Sequence, residues 1–103
     1  MDIPIYKGHF MAFERARDKK KYYRNSSSGF AKKARVFIIE RDGFCCLKCG
    51  SDDRIQIDHI KSSYLGFINN IGLSEINNVD NLQVLCGKCN AGKLPEDTTD
   101  YRS

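Results

Sequence analysis

The chain has 103 residues, 41% hydrophobic and 29% charged, with five cysteines, no tryptophan and a formal net charge of +4. This length makes one domain with a modest core, for which a metal staple is a reasonable supplement. No apolar run approaches the roughly 20 residues of a membrane span, and residues 1–10 lack the basic-then-apolar order of a secretory signal. The expectation is therefore no membrane partner and a cytoplasmic, intracellular chain with reduced thiols; five cysteines cannot all pair, which also speaks against a disulfide framework.

Residues 1–41 hold eleven Lys/Arg against four Asp/Glu, a balance of +7, and residues 42–103 hold six against nine, a balance of −3. A basic N-terminal arm beside an acidic part suits a polyanion-binding protein, and equally suits a solvated helical face with a solubilising tail. Residues 1–10 carry Pro4 and Gly8 and read as an irregular lead-in that includes His9, taken as non-catalytic. Met11 to Tyr23 reads as helical but without a clean apolar stripe: a surface helix, or one that orders on a partner. Its basic residues Arg15, Arg17, Lys19, Lys20 and Lys21, with Arg24 just beyond, are candidate phosphate contacts. Tyr22 and Tyr23 suit base stacking or simple packing equally. Asn25 to Gly29 is rich in serine and reads as a linker, so the expected organisation is an arm over 1–29, a compact domain over 30–95 and a polar tail over 96–103.

Phe30 to Arg41 is the strongest helix, with Ala34, Phe37 and Ile38 at spacings of three and four. Asp42-Gly43 stops it, with Gly43 as the cap. Lys32, Lys33 and Arg35 lie on its first turns and are either solvated or in contact with phosphate. Arg54 to Ile60 alternates as a strand, with Ile55, Ile57 and His59 on one side and Gln56 and Asp58 on the other. Residues 61–80 form a long connection, too apolar to be a free linker, that must pack in part on the core. Asn81 to Leu85 reads as a second extended segment, and Cys89 to Lys93 as the start of a helix that Pro95 does not continue.

Two Cys-x-x-Cys pairs frame this region: Cys46 with Cys49, and Cys86 with Cys89. One turn presents two thiolates to a tetrahedral ion and a second turn completes it, which implies a structural zinc with no open position for chemistry. Gly50 suits the tight turn of the first knuckle. The other reading, that the cysteines are merely small buried apolar residues, sits poorly with four of five falling in two such pairs. Cys45 is left over as a buried or free thiol. Between the pairs lies Asp58-His59. Alone, such a couple is usually a hydrogen-bonded surface pair; the metal knuckles around it make it a candidate catalytic site. Asn81 and Asn90 alone would be turn or cap residues.

Cys-x-x-Cys-Gly, then Ile57-Asp58-His59-Ile60, then Asp80-Asn81-Leu82-Gln83-Val84-Leu85 leading into Cys-x-x-Cys-Asn-x-x-Lys, preceded by Glu40-Arg41-Asp42-Gly43, resembles the HNH endonuclease family over roughly residues 30–95. The resemblance implies an α+β, ββα-metal fold (the HNH or His-Me finger) stapled by the four-cysteine structural zinc. It implies His59 as general base, Asp58 and Asn90 as ligands of a catalytic divalent ion, and Asn81 as the residue that holds the loop and orients the histidine. Lys93 falls at a basic position common in the family, with a less defined role, and is added to the candidate nucleic-acid contacts. The chemistry agrees: an imidazole can take a proton from water near neutrality, and oxygen ligands with open positions suit Mg²⁺ or Mn²⁺, with Ni²⁺ or Zn²⁺ as softer alternatives. The connection 61–80 is several residues longer than in compact members of the family.

The expectation is thus an enzyme hydrolysing phosphodiester bonds of DNA, double-stranded by preference, for which a homodimer is one way to cut both strands. Restriction, phage DNA packaging, homing and defence all remain open as settings, a phage-encoded origin included. The rival from another class is a zinc-stabilised nucleic-acid-binding module without catalysis; a protein-interaction zinc module is a weaker third.

Overall fold

The computed structural model describes residues 18–26 and 32–102. Its centre is a two-stranded antiparallel ribbon of β1 (Ile55–His59) and β2 (Leu82–Cys86), in the register Ile55↔Cys86, Ile57↔Val84 and His59↔Leu82. Around it stand α1 (residues 18–26), α2 (Lys32–Arg41), α3 (Ser63–Ile68), α4 (Leu73–Ile76), a 3₁₀ turn (Val79–Asn81) and α5 (Gly87–Ala91). The fold is a small mixed α+β domain with a four-cysteine cluster. Among the described residues, no helix is long and apolar enough to cross a membrane.

Within the ribbon, β2 is buried on both faces, while β1 is half-buried with Gln56 exposed. Every residue of β2 is buried, which a run of Leu, Val, Leu and Cys favours; Gln83 is the exception in kind. Leu82 and Val84 point to one face and meet Ile38 of α2, with Ile39, Ile55, Ile57 and Val79 around them. Gln83 and Leu85 point to the other face, as the period of two demands. An isolated two-stranded ribbon is marginal in water, so packing of this kind is what makes it stable.

Helix α2 ends in a Schellman motif: the Phe44 N–H donates to Ile39 O (3.0 Å) and the Gly43 N–H to Glu40 O (3.2 Å). Gly43 takes φ 82°, the left-handed conformation expected of it. This stop places Arg41 and Asp42 against β2. Asp42 Oδ2 accepts the Val84 N–H at 3.0 Å, and Arg41 donates to Val79 O and Leu82 O while pairing with Asp42 at 2.8 Å. With the Leu47 N–H donating to Val84 O, the outer edge of β2 is occupied rather than left as a template for another strand.

The connection 61–80 packs on the core, as its composition requires: Ile76 is 1% exposed and Gly66 is buried. It contains α3, which the sequence pattern does not announce. Ser62 caps this helix, its side chain accepting the Leu65 N–H at 3.2 Å. The two ends of the connection are tied by Asn81. Its Oδ1 accepts the Lys61 N–H, its Nδ2 donates to Lys61 O and Ile76 O, and its backbone O accepts the Ile60 N–H at 2.7 Å.

Several expectations change. Residues 25 and 26, expected in the linker, belong to α1, and Ser26 is fully buried, its hydroxyl 2.6 Å from that of Ser63. The described part of the arm is docked: Tyr22 donates to Ile71 O at 2.9 Å, and Tyr22 and Tyr23 stack edge-on against Phe67. Packing, the second of the two readings of these tyrosines, is what the structure displays. On α2, Ile38 carries the burial, while Phe37 is 52% exposed because it faces away from β2. The tail is anchored as well: Gln83 Nε2 donates to Thr99 O and the Tyr101 N–H donates to Gln83 Oε1. The early part of the Met11–Tyr23 helix, the residues Arg15 and Arg17, and the 27–29 part of the linker lie outside the described residues.

Candidate functional site

Four sulfurs form one end of the ribbon. The Sγ atoms of Cys46, Cys49, Cys86 and Cys89 all lie within 4.8 Å of one another, and Cys49 Sγ to Cys86 Sγ is 3.7 Å. Tetrahedral zinc with bonds of about 2.3 Å sets its sulfurs about 3.8 Å apart, so the donor set fits the ion. The knuckles come from local rules. Gly50, at φ 82°, closes the first, with its N–H on Cys46 O and the Cys46 N–H on Ser51 O, both at 2.8 Å. The second is the start of α5, where Cys86 serves as the N-cap and its sulfur accepts the Cys89 N–H at 3.4 Å.

The thiols are electrostatically unequal. Burial pushes Cys46 up, but the backbone N–H groups of Cys49, Cys86 and Lys48 outweigh it and bring it down to about 6. Cys86 is lowered, first by the Cys89 N–H. Cys89 is pushed up to about 12, first by the Cys86 sulfur and then by burial. Thiolates this close cannot all ionise unaided; a shared cation is what lets them coexist. Tyr101 packs on this cluster, and Lys48 Nζ lies 6.0 Å from its ring centroid. Cys45, next in chain, is half-buried and outside the set.

The other end of the ribbon carries His59 and Asp58. Both line an open cavity of about 400 Å³ with Asn90, Lys93, Tyr23 and Tyr64 among its walls. His59 Nε2 lies 2.7 Å from Asn77 Oδ1. An amide oxygen only accepts, so in this pair the Nε2–H is the donor. Asp58 is 5% exposed. Its carboxylate accepts from Gln83 Nε2 at 3.0 Å and from Lys93 Nζ at 2.9 and 2.8 Å. Asn90 donates through Nδ2 to Gln56 Oε1 at 2.8 Å, which engages its amide nitrogen and leaves the oxygen as the metal-binding chemistry it offers. Asp58 and Asn90 thus line the same cavity with oxygens of the kind a hard cation takes, and in this arrangement the Lys93 ammonium holds both oxygens of the carboxylate.

The predicted residues are therefore brought together in two groups: the four cysteines, and Asp58, His59, Asn90 and Lys93 on one cavity. Asn81 stands apart from the cavity walls and acts on the loop backbone; the amide that meets the histidine Nε2 is Asn77's. Lys19, Lys20, Lys21 and Arg24 lie on α1, and Lys32, Lys33 and Arg35 on α2. Lys19 Nζ sits 5.7 Å from the Tyr23 ring centroid, so the basic helix reaches the cavity through Tyr23. Lys93 is turned inward, its side chain 10% exposed, and not outward as a phosphate contact would be.

Asn77 and Gln83 were not singled out from sequence. Gln83 had a signal: an amide inside an otherwise apolar strand must find partners. Asn77 had none, because only the return of the 61–80 connection brings it to His59. Compared with protein family models, curated proteins and solved structures, the chain matches none.

Proposed function

We propose that the chain is a metal-dependent endonuclease of the HNH type, acting on DNA phosphodiester bonds. The observation that carries this reading is the shared cavity, where a histidine held by Asn77, a buried carboxylate and an amide oxygen open together beside a basic helix. His59 takes a proton from water as general base while Asn77 holds the ring through Nε2. Asp58 and Asn90 would hold a divalent ion, Mg²⁺ or Mn²⁺ by the hardness of those oxygens, which would supply charge stabilisation at the phosphate and the 3′-oxygen leaving group. Asn81 keeps the loop that presents Asn77 in place. Lys19, Lys20, Lys21 and Arg24 hold the DNA backbone and add no sequence information. The zinc cluster keeps the ribbon's far end closed. An intracellular setting suits the reduced thiols a zinc site needs.

One observation favours the rival reading, a zinc-stabilised nucleic-acid-binding module: Asp58 is engaged by Lys93 and Gln83. A supercoiled-plasmid assay with Mg²⁺, Mn²⁺, Ni²⁺ or EDTA separates the two. On the nuclease reading, nicking needs the metal, and His59→Ala lowers the rate by about 10²- to 10⁴-fold, the usual contribution of a general base, with DNA binding retained. No nicking with any of these metals, from a folded and zinc-loaded chain that binds DNA, selects the binding module.

A further inference from the structure

Lys93 Nζ lies among four oxygens: Asp58 Oδ1 at 2.9 Å, Asp58 Oδ2 at 2.8 Å, His59 O at 2.6 Å and Ile60 O at 3.3 Å. An ammonium has three donors and no acceptor, so the end of β1 takes all that this side chain can give. Asp58 is buried and Lys93 partly so, with side chains 6% and 10% exposed. A carboxylate and two backbone carbonyls converging on one positive centre are the oxygen shell that a hard cation seeks. Here the positive centre belongs to the chain itself.

We propose that Lys93 is a tethered cation, and that Lys93 and a divalent ion are alternative counter-ions of Asp58. The inference rests on the reading of Asp58 as a metal ligand. Two like charges within about 4 Å in a partly buried site repel strongly, so an ion that takes the carboxylate expels the ammonium. The expelled group has somewhere to go: Lys93 already lines the cavity, beside Asn90 and Leu94, and its flexible aliphatic stem can swing into it. In the closed arrangement the site refuses metal. In the open one the same ammonium lies where a phosphate would lie, the contact that its sequence position suggested. Loading with metal and gaining a phosphate-binding lysine are then one event.

The test uses the full zinc-loaded chain and Mn²⁺ alone as the probe. Calorimetric titration compares the wild type with Lys93→Met, Lys93→Gln and Asp58→Asn, each checked for zinc content and circular dichroism. The expected result is Mn²⁺ binding tighter by roughly tenfold or more in the Lys93 variants, as removal of a competing like charge requires, and lost in Asp58→Asn. Wild-type binding with unchanged or weaker affinity in the Lys93 variants overturns the counter-ion role and leaves the metal reading intact. No Mn²⁺ binding by the wild type or by any folded variant overturns both. Because Lys93 variants leave a buried carboxylate without its partner, a second measurement uses the wild type only: the Lys93 side-chain ammonium resonance in ¹⁵N NMR, with and without saturating Mg²⁺. It should move from a protected ammonium to a solvated one, and a resonance that Mg²⁺ leaves unchanged refutes the exchange.

Discussion

Replacing Gln83 by methionine isolates one polar junction with little change in volume. Gln83 is 0% exposed, and its amide makes three hydrogen bonds: to Asp58 Oδ2 and Thr99 O through Nε2, both 3.0 Å, and from the Tyr101 N–H to Oε1 at 2.9 Å. The bond to the carboxylate is worth about 1.5–3 kcal/mol and each of the two to backbone about 0.5–1.5 kcal/mol. Methionine keeps an unbranched stem of similar size, so the cavity contribution is small. Thr99 is exposed and regains water at low cost, which places the expected loss near the lower end, about 3 kcal/mol. For a domain of this size that corresponds to a fall in Tm of about 12–24 °C. Urea denaturation of the zinc-loaded chain measures it, with hydrogen exchange of the Tyr101 amide as the local reporter. A loss under about 1 kcal/mol, the value of a single ordinary hydrogen bond, with the Tyr101 amide as protected as before, would refute the claim that this junction ties the tail to the ribbon. Gln83→Glu should be worse than methionine at neutral pH, since it sets a second carboxylate against Asp58, and should recover as pH falls into the carboxylate range.

Two further outcomes test other joints of the fold. Cys49→Ser or a strong chelator should leave the chain largely unfolded by circular dichroism. Structural zinc contributes about 10 kcal/mol or more, as much as the whole stability of a typical domain; a chelator-resistant fold with no bound zinc would count against the cysteine site. Gly66→Ala should cost about 1–3 kcal/mol by overpacking, because a Cβ there meets Tyr22 Oη and comes within 2.7 Å of Ile76 carbons. The predicted signature is faster hydrogen exchange across residues 21–26 with the ribbon amides unchanged, and uniform acceleration everywhere would argue against local undocking.

The ribbon was legible from sequence to within a residue or so at each end. Alternation over Arg54–Ile60 and the apolar run before Cys86 leave little freedom, and Asp42-Gly43 and Gly50 fall at turns that demand a left-handed residue. The cysteine set was readable because ligand spacing is a local property. What was not readable depends on partners distant in the chain. A ten-residue helix with a weak stripe does not reveal which of Phe37 and Ile38 is buried. Helix α3 is six residues long with Gly66 inside it, and its start rests on a single Ser62 cap. A polar composition over 96–103 hides the backbone groups that Gln83 collects. The inward turn of Lys93 follows from the burial of Asp58, which an alternating strand pattern does not disclose.

The neck formed by Asn81 has a consequence for how such a chain can diverge. Its bonds to Lys61 and Ile76, with the Ile60 N–H on Asn81 O, close the connection where it leaves and rejoins the ribbon. Lengthening a closed excursion costs little, since the entropy of a loop grows only with the logarithm of its length. Exposed residues between the neck and Asn77 can therefore be exchanged without disturbing strand register, provided that Ile76 and Gly66 keep their packing and Asn77 still returns to His59. Because α1 docks on this excursion through Tyr22 and Ser26, the two would be replaced together. The chain is thus divided into a chassis of ribbon and cysteine cluster and an excursion with α1 packed on it, and a graft of the excursion would have to carry α1 with it.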